Sequence, residues 1–199
     1  MNKRSQGFTL VEILLVSALV AVVGVAIFNA FANGAKLWSK AKAMALRGDA
    51  AIFFDHMAQD LRGAQTISSL KFKGMTLQMS VPTIVLTQAD SRSSRMAEEM
   101  VDQIGMAQYY FEPAEKRIYR RQANYSQALK GLWQTPTVIV GQVEEVAFKY
   151  YVMTDRGLEA KEQATDVIPF AVMVDLGFKE NGVTQHTHQY IPIPTGGAL

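Results

Sequence analysis

Glu12 is the residue whose position most needs a chemical explanation, because it stands near the start of an apolar run with no charged side chain across residues 13–35. A carboxylate in the middle of a membrane-spanning helix costs ~2.5–3.5 kcal/mol, and such residues normally have a partner. After Arg4, no lysine or arginine lies within reach of Glu12 along its own helix. Cleavage between Gly7 and Phe8 would create an α-amine with a pKa of ~7.7–8.0. The sequence therefore predicts that Glu12 finds its counter-ion only after proteolysis, within the chain or on a neighbouring chain.

Histidines offer a second possible chemistry. His186 and His188 alternate along a predicted strand, so both rings face one side, and this spacing could hold a transition metal. No third ligand is evident nearby, and surface histidines are the competing interpretation. His56 lies between Asp55 and Asp60 on the polar side of a predicted helix, which favours a solvated face.

Motifs of catalysis are absent from the sequence. It contains no Gly-x-Ser-x-Gly or His-Glu-x-x-His motif, and no glycine-rich phosphate loop. There is no cysteine, hence neither a disulfide framework nor a thiolate metal site. We therefore expect no enzymatic activity, no cofactor and no metal.

Four basic residues fall close together in the second half of the chain, with tyrosines at positions 109, 110 and 119 nearby. They are Lys116, Arg117, Arg120 and Arg121. This composition resembles a strip that contacts DNA. The competing interpretation is a charged edge strand that discourages aggregation. The acidic neighbours Glu112 and Glu115 weaken the electrostatic case, so nucleic acid is not an expected partner.

The apolar run is long enough to cross a bilayer, because about 20 apolar residues at ~1.5 Å rise cover its ~30 Å core. Lys3 and Arg4 lie on the short N-terminal side, which the positive-inside bias keeps in the cytoplasm. The remaining C-terminal part is therefore expected outside the cytoplasm. A cleaved secretory signal has a shorter apolar core, followed by its cleavage site, whereas here Gly7 precedes the run.

The segment Gly7-Phe8-Thr9-Leu10-Val11-Glu12, behind a short basic leader, resembles the class III signal of type IV pilin-like proteins. This resemblance implies that a prepilin peptidase cleaves after Gly7 and methylates the new N-terminus at Phe8. It also implies that Glu12 pairs with the N-terminus of an adjoining subunit during assembly. The implied partners are the prepilin peptidase, other minor and major pilins or pseudopilins, and an inner-membrane assembly platform.

Helical periodicity continues beyond the apolar run to about Gln65, with apolar residues three and four positions apart. They are Ala43, Leu46, Ala50, Phe53, Phe54, Met57, Leu61 and Ala64, opposite a polar side that includes Asp49, Asp55, His56, Gln59, Asp60 and Arg62. This face is the expected contact with the C-terminal domain. A second row points roughly the other way and includes Leu37, Ala41, Met44, Gly48 and Ile52. We expect it to contact a neighbouring helix, the alternative being that one core covers both rows.

Two glycines, Gly24 and Gly34, interrupt the membrane part of this helix, where a glycine costs about 0.8–1.0 kcal/mol relative to alanine. A bend or local melting of the helix is one explanation. Close packing against another spanning helix explains the small residues equally well.

After Gln65 the pattern becomes strand-like, with short segments rich in Val, Ile, Thr, Tyr and Phe. The predicted strands are 75–80, 83–87, 106–112, 117–121, 137–140, 144–151, 170–178 and 186–193, with a hairpin over 109–119. No long helical pattern separates them, so the sheet should be mostly antiparallel. Residues 88–105 are polar and predict a loop or a short surface helix from Ser94 to Gln103. The expected fold is α+β and pilin-like: a long N-terminal helix on a mostly antiparallel β-sheet domain.

Within the pilin-like proteins, the C-terminal part most resembles the minor pseudopilin J family of type II secretion systems. Three strand patterns carry this resemblance, at 109–121, 143–151 and 169–176. It implies a minor, tip-proximal filament subunit. A type IV pilus or competence filament is one alternative, and a membrane-tethered enzyme or metal-binding domain is another.

The expected organisation follows from these patterns. Residues 1–7 form a leader, 8–35 the transmembrane half of the helix, 36–65 its amphipathic half, and 66–199 a β-rich domain. The chain would be a single-pass inner-membrane protein with a periplasmic domain before it joins a filament. The formal charge of +2 comes from 20 basic and 18 acidic residues, so loss of Lys3 and Arg4 leaves 18 against 18. A neutral mature chain has no global electrostatic reason to bind nucleic acid.

Overall fold

The fold was analysed in a computed structural model, which describes residues 9–88, 100–180 and 182–197. The elements of the first half are α1 (Leu10–Arg62), β1 (Lys73–Met75), β2 (Gln78–Gln88), β3 (Met100–Glu112), β4 (Arg117–Asn124) and α2 (Tyr125–Leu129). Those of the second half are β5 (Thr137–Gly141), β6 (Val143–Thr154), β7 (Gly157–Lys161), β8 (Ala164–Thr165), β9 (Ala171–Glu180) and β10 (Val183–Pro192). Two compact units result, residues 1–45 and 46–199.

Within the described residues, the strands form two sheets, and every pair of neighbouring strands is antiparallel. Sheet 1 has the order β5-β4-β3-β2-β1-β8 and sheet 2 the order β10-β9-β6-β7. The expected α+β fold is confirmed: a long N-terminal apolar helix and an antiparallel β domain, consistent with a pilin-like fold. The division into two sheets was not predicted.

One hydrophobic core joins the last turns of α1 to the inner faces of both sheets. The predicted helical stripe is buried from Ala50 onward, including Phe53, Met57 and Leu61. Phe53 meets Tyr109 of β3 edge to face, with ring centroids 5.9 Å apart. Leu46 is only partly buried and packs against the rim of the core. The amphipathic period therefore fixes which face of α1 the β domain covers.

A tyrosine fastens the tight turn between β1 and β2. Tyr150 of β6 is fully buried, and its hydroxyl donates to the carbonyls of Met75 at 2.8 Å and Gln78 at 3.2 Å. Gly74 lies against the ring of Tyr150, where a Cβ would clash. The prediction of one continuous strand over residues 75–80 is wrong, because the chain turns at Thr76 and Leu77 between β1 and β2. Those two residues carry none of the usual turn signals.

The predicted loop or helix over residues 88–105 is wrong in its last part. Residues 89–99, including Ser94, lie outside the described residues. Met100 to Gly105 belong to β3 and continue its register with β2 without a break, ending at Met100 opposite Gln88. Polar Asp102 and Gln103 obscure the strand period in the sequence. The ladder to β2 determines the conformation here, and local composition does not.

The 109–119 hairpin is confirmed as β3 and β4, whose four-residue turn is closed by Lys116 N–H donating to the Pro113 carbonyl at 3.3 Å. Lys116 has a φ of 54°, the left-handed region in which a non-glycine residue is uncommon. Strands β7 and β8 and helix α2, which are two to five residues long, were not predicted.

Candidate functional site

The first described residues form a capping box at the start of α1. Thr9 N–H donates to Glu12 Oε2 at 3.1 Å, and the Thr9 hydroxyl lies 3.2 Å from the same oxygen. In return, Glu12 N–H donates to Thr9 Oγ1 at 3.3 Å. This reciprocal pair satisfies donors that the first helical turn leaves free, and a negative charge is favoured at that end of a helix. Glu12 therefore has local hydrogen-bond partners before any neighbouring chain is considered.

Sequence reasoning looked for a basic partner of Glu12 and missed Thr9. The spacing Thr-x-x-Glu ahead of an apolar run is the signal that could have found it. Gly7 and Phe8, the expected cleavage site, lie outside the described residues. Their processing roles therefore stay predictions.

α1 is long enough and apolar enough to cross a membrane, and none of its most apolar stretch is buried within the chain. It continues as helix through Gly24 and Gly34. A Cβ placed at either glycine would meet nothing within 4 Å, so no contact inside the described chain requires a glycine there.

The second row of the helix is exposed in the isolated chain. Leu37 is 68% exposed, Met44 71% and Ile52 55%, and Ala41 is exposed as well. Trp38 beside them is 77% exposed. Large apolar side chains exposed in consecutive turns of one helix are typical of a surface that contacts another molecule.

Asp60 is the residue most clearly misassigned by sequence reasoning, which placed it on the solvated side. It is only 6% exposed, and its carboxylate accepts hydrogen bonds from Tyr109 Oη at 2.6 Å and Arg120 Nε at 2.9 Å. Arg120 Nη2 donates to the second carboxylate oxygen at 3.1 Å, which completes a bidentate pair. The prediction failed because position 60 borders the apolar face, and its two partners come from distant strands.

Burial and the neighbouring Asp60 shift the pKa values of Tyr109 and Arg120. Burial raises the pKa of Tyr109 well above its ordinary value, and the negative charge of Asp60 raises it further. Burial lowers the pKa of Arg120, but the hydrogen bonds and charge of Asp60 outweigh burial and leave the pKa raised. At neutral pH Tyr109 is therefore a neutral phenol and Arg120 a guanidinium, and both donate hydrogen bonds to Asp60. The chemistry of these three residues is structural, since they link the end of α1 to β3 and β4.

The basic cluster on β4 and the turn before it is engaged within the chain. Besides the Arg120–Asp60 pair, Lys116 Nζ lies 2.6 Å from Glu144 Oε2, and Arg117 Nη1 lies 3.6 Å from Glu115 Oε2. Arg121 donates to Gln108 Oε1 at 2.6 Å. The edge-strand interpretation is wrong, because β4 has β3 on one side and β5 on the other.

The tyrosines of this region do not form an open stacking platform. Tyr110 and Tyr119 stack on each other with ring centroids 5.3 Å apart. The Arg121 guanidinium lies 5.3 Å from the Tyr110 ring and 4.7 Å from the Trp133 ring. Tyr109 is buried. Nucleic-acid bases need free aromatic faces, whereas these faces cover one another.

The histidines lie as predicted on strand and helix surfaces. His186 and His188 are exposed on β10, and His56 is exposed on α1. His186 Nδ1 is 3.2 Å from Asp175 Oδ2, and His186 Nε2 is 3.9 Å from Glu145 Oε2. Within the described residues, no group of three or more His, Asp or Glu side chains is arranged to hold a metal ion.

Comparison with known proteins adds one finding at the N-terminus. Residues 2–28 match the family model of the prokaryotic N-terminal methylation motif. This match supports a type IV pilin-like precursor, whose apolar helix fits a single-pass membrane anchor and whose signal implies prepilin peptidase and assembly with other pilins. Type IV pilin-like structural proteins are generally not enzymes. Comparison with curated proteins gives no match for this chain.

Proposed function

We propose that this chain is a minor pseudopilin, a tip-proximal structural subunit of a type II secretion pseudopilus. The observation that carries the proposal is the methylation motif at residues 2–28, with Glu12 at the fifth position after the Gly7–Phe8 junction. The antiparallel β domain on the last turns of the helix agrees with it. The choice of secretion over other filaments rests on the strand patterns at 109–121, 143–151 and 169–176.

In this proposal the chain inserts with its positive N-terminus in the cytoplasm and its β domain in the periplasm. The prepilin peptidase removes residues 1–7 and methylates Phe8. Residues 8–35 anchor the subunit in the inner membrane, 36–65 continue the helix, and 66–199 form the extracytoplasmic domain. The assembly platform then extracts the subunit into the filament.

Assembly depends on charge pairing in the lipid. The amine of Phe8 on one chain neutralises Glu12 on its neighbour, so neither charge stays alone in a medium where it is costly. The capping box uses Glu12 Oε2. The other carboxylate oxygen, Oε1, is the one that receives the neighbouring amine in this proposal.

Helix bundling supplies the second contact. The exposed row of Leu37, Ala41, Met44 and Ile52 packs against a neighbouring helix, as does the membrane part around Gly24 and Gly34. Both glycines lower helix stability, yet no contact inside the described chain requires them. Small residues that let two helices approach closely are a common feature of membrane helix pairs.

The first experiment tests the processing site. Gly7→Val should abolish cleavage, so that mass spectrometry of the protein from native membranes finds the intact precursor starting at Met1. The wild-type chain should begin at methylated Phe8. A Gly7→Val chain that matures normally would show that the site is elsewhere.

The second experiment tests the charge pair. Glu12→Ala should still be cleaved, but its incorporation into filaments should fall by at least about tenfold. The reason is that the amine of Phe8 on the neighbouring chain loses its counter-charge, and an unpaired charge in the membrane costs more than the about 1.4 kcal/mol that corresponds to a tenfold change. Ser17→Ala, one turn further into the helix, is the matched control and should incorporate normally. Equal incorporation of Glu12→Ala and wild type would contradict the pairing.

A minor pilin of a type IV pilus or competence filament is the main alternative, because it carries the same class III signal. Deletion of the gene distinguishes the two. A secretion subunit predicts loss of exported proteins from the medium with normal pili and DNA uptake. Loss of pili or of DNA uptake with normal secretion would assign the chain to the alternative.

A further inference from the structure

Lys36 marks the end of the apolar part of α1. Residues 13–35 carry no charged side chain. At a rise of ~1.5 Å per residue they span about 34 Å, slightly more than the ~30 Å hydrocarbon core of a bilayer. Lys36 is therefore expected at the level where this core ends and the lipid headgroups begin. The headgroup layer on each side is roughly 5–7 Å thick, so it surrounds only about the next turn of the helix.

Three residues form one polar ridge at this level: Asn33, Lys36 and Lys40. Spacings of three and four residues place them on the same face of the helix. Asn33 lies about 4.5 Å below Lys36 along the helix axis, and Lys40 lies about 6 Å above it. All three side chains are exposed, and none of them makes a hydrogen bond or ion pair within the described residues. The ridge therefore presents polar groups whose partner must come from outside the chain.

The charge of the ridge indicates what kind of partner fits it. Like charges four residues apart on a helix repel each other, and Lys36 and Lys40 have this spacing. An acidic neighbour would relieve the repulsion, but the sequence has no Asp or Glu between Glu12 and Asp49. A phosphate close to both ammonium groups would neutralise them together. The amide of Asn33, one turn lower, is a donor for the ester oxygens that lie just below a lipid phosphate.

Trp38 supports this depth from the other side of the helix. It lies about 3 Å above Lys36 along the axis and roughly opposite the ridge, and it is 77% exposed. Tryptophan is enriched at the level of the lipid headgroups, because its ring is apolar and its indole N–H is polar. An exposed tryptophan and two lysines over residues 36–40 are therefore typical of the boundary between a bilayer and water.

The ridge remains open to lipid when a neighbouring helix contacts α1. Leu37 and Ala41 each follow a ridge lysine by one residue, so their row lies about 100° around the helix from the ridge. A helix that packs on this row need not cover Lys36 or Lys40. A second copy of α1, parallel and in register, would instead set lysine against lysine if it packed on the ridge itself. Lipid is therefore the better occupant.

We propose that Asn33, Lys36 and Lys40 bind the headgroup of an anionic phospholipid in the leaflet where α1 leaves the bilayer. A lysine near an anionic membrane surface strengthens binding roughly fivefold, so the ridge prefers anionic to zwitterionic lipid. The bound headgroup fixes the depth and the rotation of α1 in the membrane. This inference rests on one part of the proposed function, the insertion of α1 in a membrane, and it holds for either kind of filament.

The test is native mass spectrometry of the full chain released from micelles that contain equal amounts of phosphatidylglycerol and phosphatidylcholine. The wild type should retain phosphatidylglycerol at least about tenfold better than phosphatidylcholine, and Lys36→Gln/Lys40→Gln should lower this preference at least about tenfold. Lys36→Arg/Lys40→Arg should keep it. Lys42→Gln/Lys130→Gln is the matched control, because it removes two charges as well. Lys42 lies about 9 Å above Lys36, beyond the headgroup layer, and Lys130 is the C-cap of α2.

Fluorescence of Trp38 tests the depth independently. The chain has two tryptophans, so Trp133→Phe leaves Trp38 alone. In vesicles of the same two lipids, acyl chains brominated near the carbonyl end should quench Trp38 more strongly than chains brominated near the methyl end. Absence of quenching by either lipid would place Lys36 outside the headgroup layer and overturn the proposal.

The lipid measurements can also contradict the proposal. Equal retention of the two lipids by the wild type would do so, as would an equal loss of preference in Lys36→Gln/Lys40→Gln and its control. Displacement of the lipid by inorganic phosphate or a polyglutamate peptide at millimolar concentration would assign the ridge to free anions or to an acidic protein segment instead. The glutamine variant should insert and be cleaved like wild type, so failure of the lipid site and failure of the proposed processing are separate results.

Discussion

Asp60 near the end of α1 and Arg120 in the interior strand β4 form a bidentate ion pair, with Nε to Oδ2 at 2.9 Å and Nη2 to Oδ1 at 3.1 Å. Tyr109 donates to the same carboxylate, so helix, β3 and β4 meet at one buried group. The pair stabilises the domain only as long as both partners are present, because a buried charge without its partner is costly.

Asp60→Asn should lower the free energy of unfolding by about 2–4 kcal/mol, since it leaves the guanidinium of Arg120 without its counter-charge. This loss is somewhat smaller than the about 3–5 kcal/mol typical of removing one partner of a fully buried ion pair, because the Arg120 side chain is still 22% exposed. Chemical denaturation of the full chain in mild detergent measures the change. Asp55→Asn on the exposed side of the same helix is the control and should stay within about 0.5 kcal/mol of wild type.

Ionisation of Tyr109 should lower the free energy of unfolding at alkaline pH. Its pKa in the folded chain is raised by burial and then by Asp60, from an ordinary value of 10.0. A raised pKa contributes stability that is fully present below the unfolded value and is lost as pH rises toward the folded value. Above pH 10.0 the wild type should therefore lose up to about 1.4 kcal/mol per pH unit through this tyrosine.

Denaturation curves from pH 8 to 11 for wild type and Tyr109→Phe measure this contribution as a difference in slope. The variant should be less stable at pH 8, because Asp60 loses a hydrogen bond, but it should lose less stability as the pH rises. Parallel curves for the two proteins would show that Tyr109 ionises equally in both states.

Gly105 is required by close packing within sheet 1. A Cβ there would clash with the carbonyl oxygen of Ala123 and the side chain of Val85. Gly105→Ala should therefore cost about 1–3 kcal/mol of stability through overpacking. Gly141→Ala on β5 is the matched control, because a Cβ there meets nothing within 4 Å. Similar melting temperatures for the two variants would contradict this packing.

Thr9 should matter to the first turn of α1 through the capping box. Thr9→Ala removes both side-chain hydrogen bonds to and from Glu12 and should cost about 0.5–2 kcal/mol of local helix stability. Exchange of the Val11 and Glu12 amides in micelles should accelerate several-fold. The cleavage that we propose after Gly7 should persist, since Gly7 and Phe8 are unchanged. Thr9→Ser, which keeps a hydroxyl, should exchange like wild type.

Part of the fold can be predicted from the amino-acid sequence alone. The 3.6-residue period from Ala50 to Leu61 predicts the buried face of α1, since burial follows the helical stripe directly. The turn signals around Pro113 predict the β3–β4 hairpin. Strand β8 escapes this reasoning because two residues are too few to show a period, and β7 because it contains none of the β-branched or aromatic residues that mark β5.

The proposed N-terminal processing and charge pairing follow from the sequence alone, because the apolar run, the Gly7–Phe8 junction and Glu12 are close together in the chain and their spacing is enough to relate them. The burial of Asp60 and the interior position of β4 were decided only by the tertiary structure. Each depends on which strands become neighbours. That choice is made by long-range backbone pairing and by the shared core of two sheets, and no local pattern encodes it.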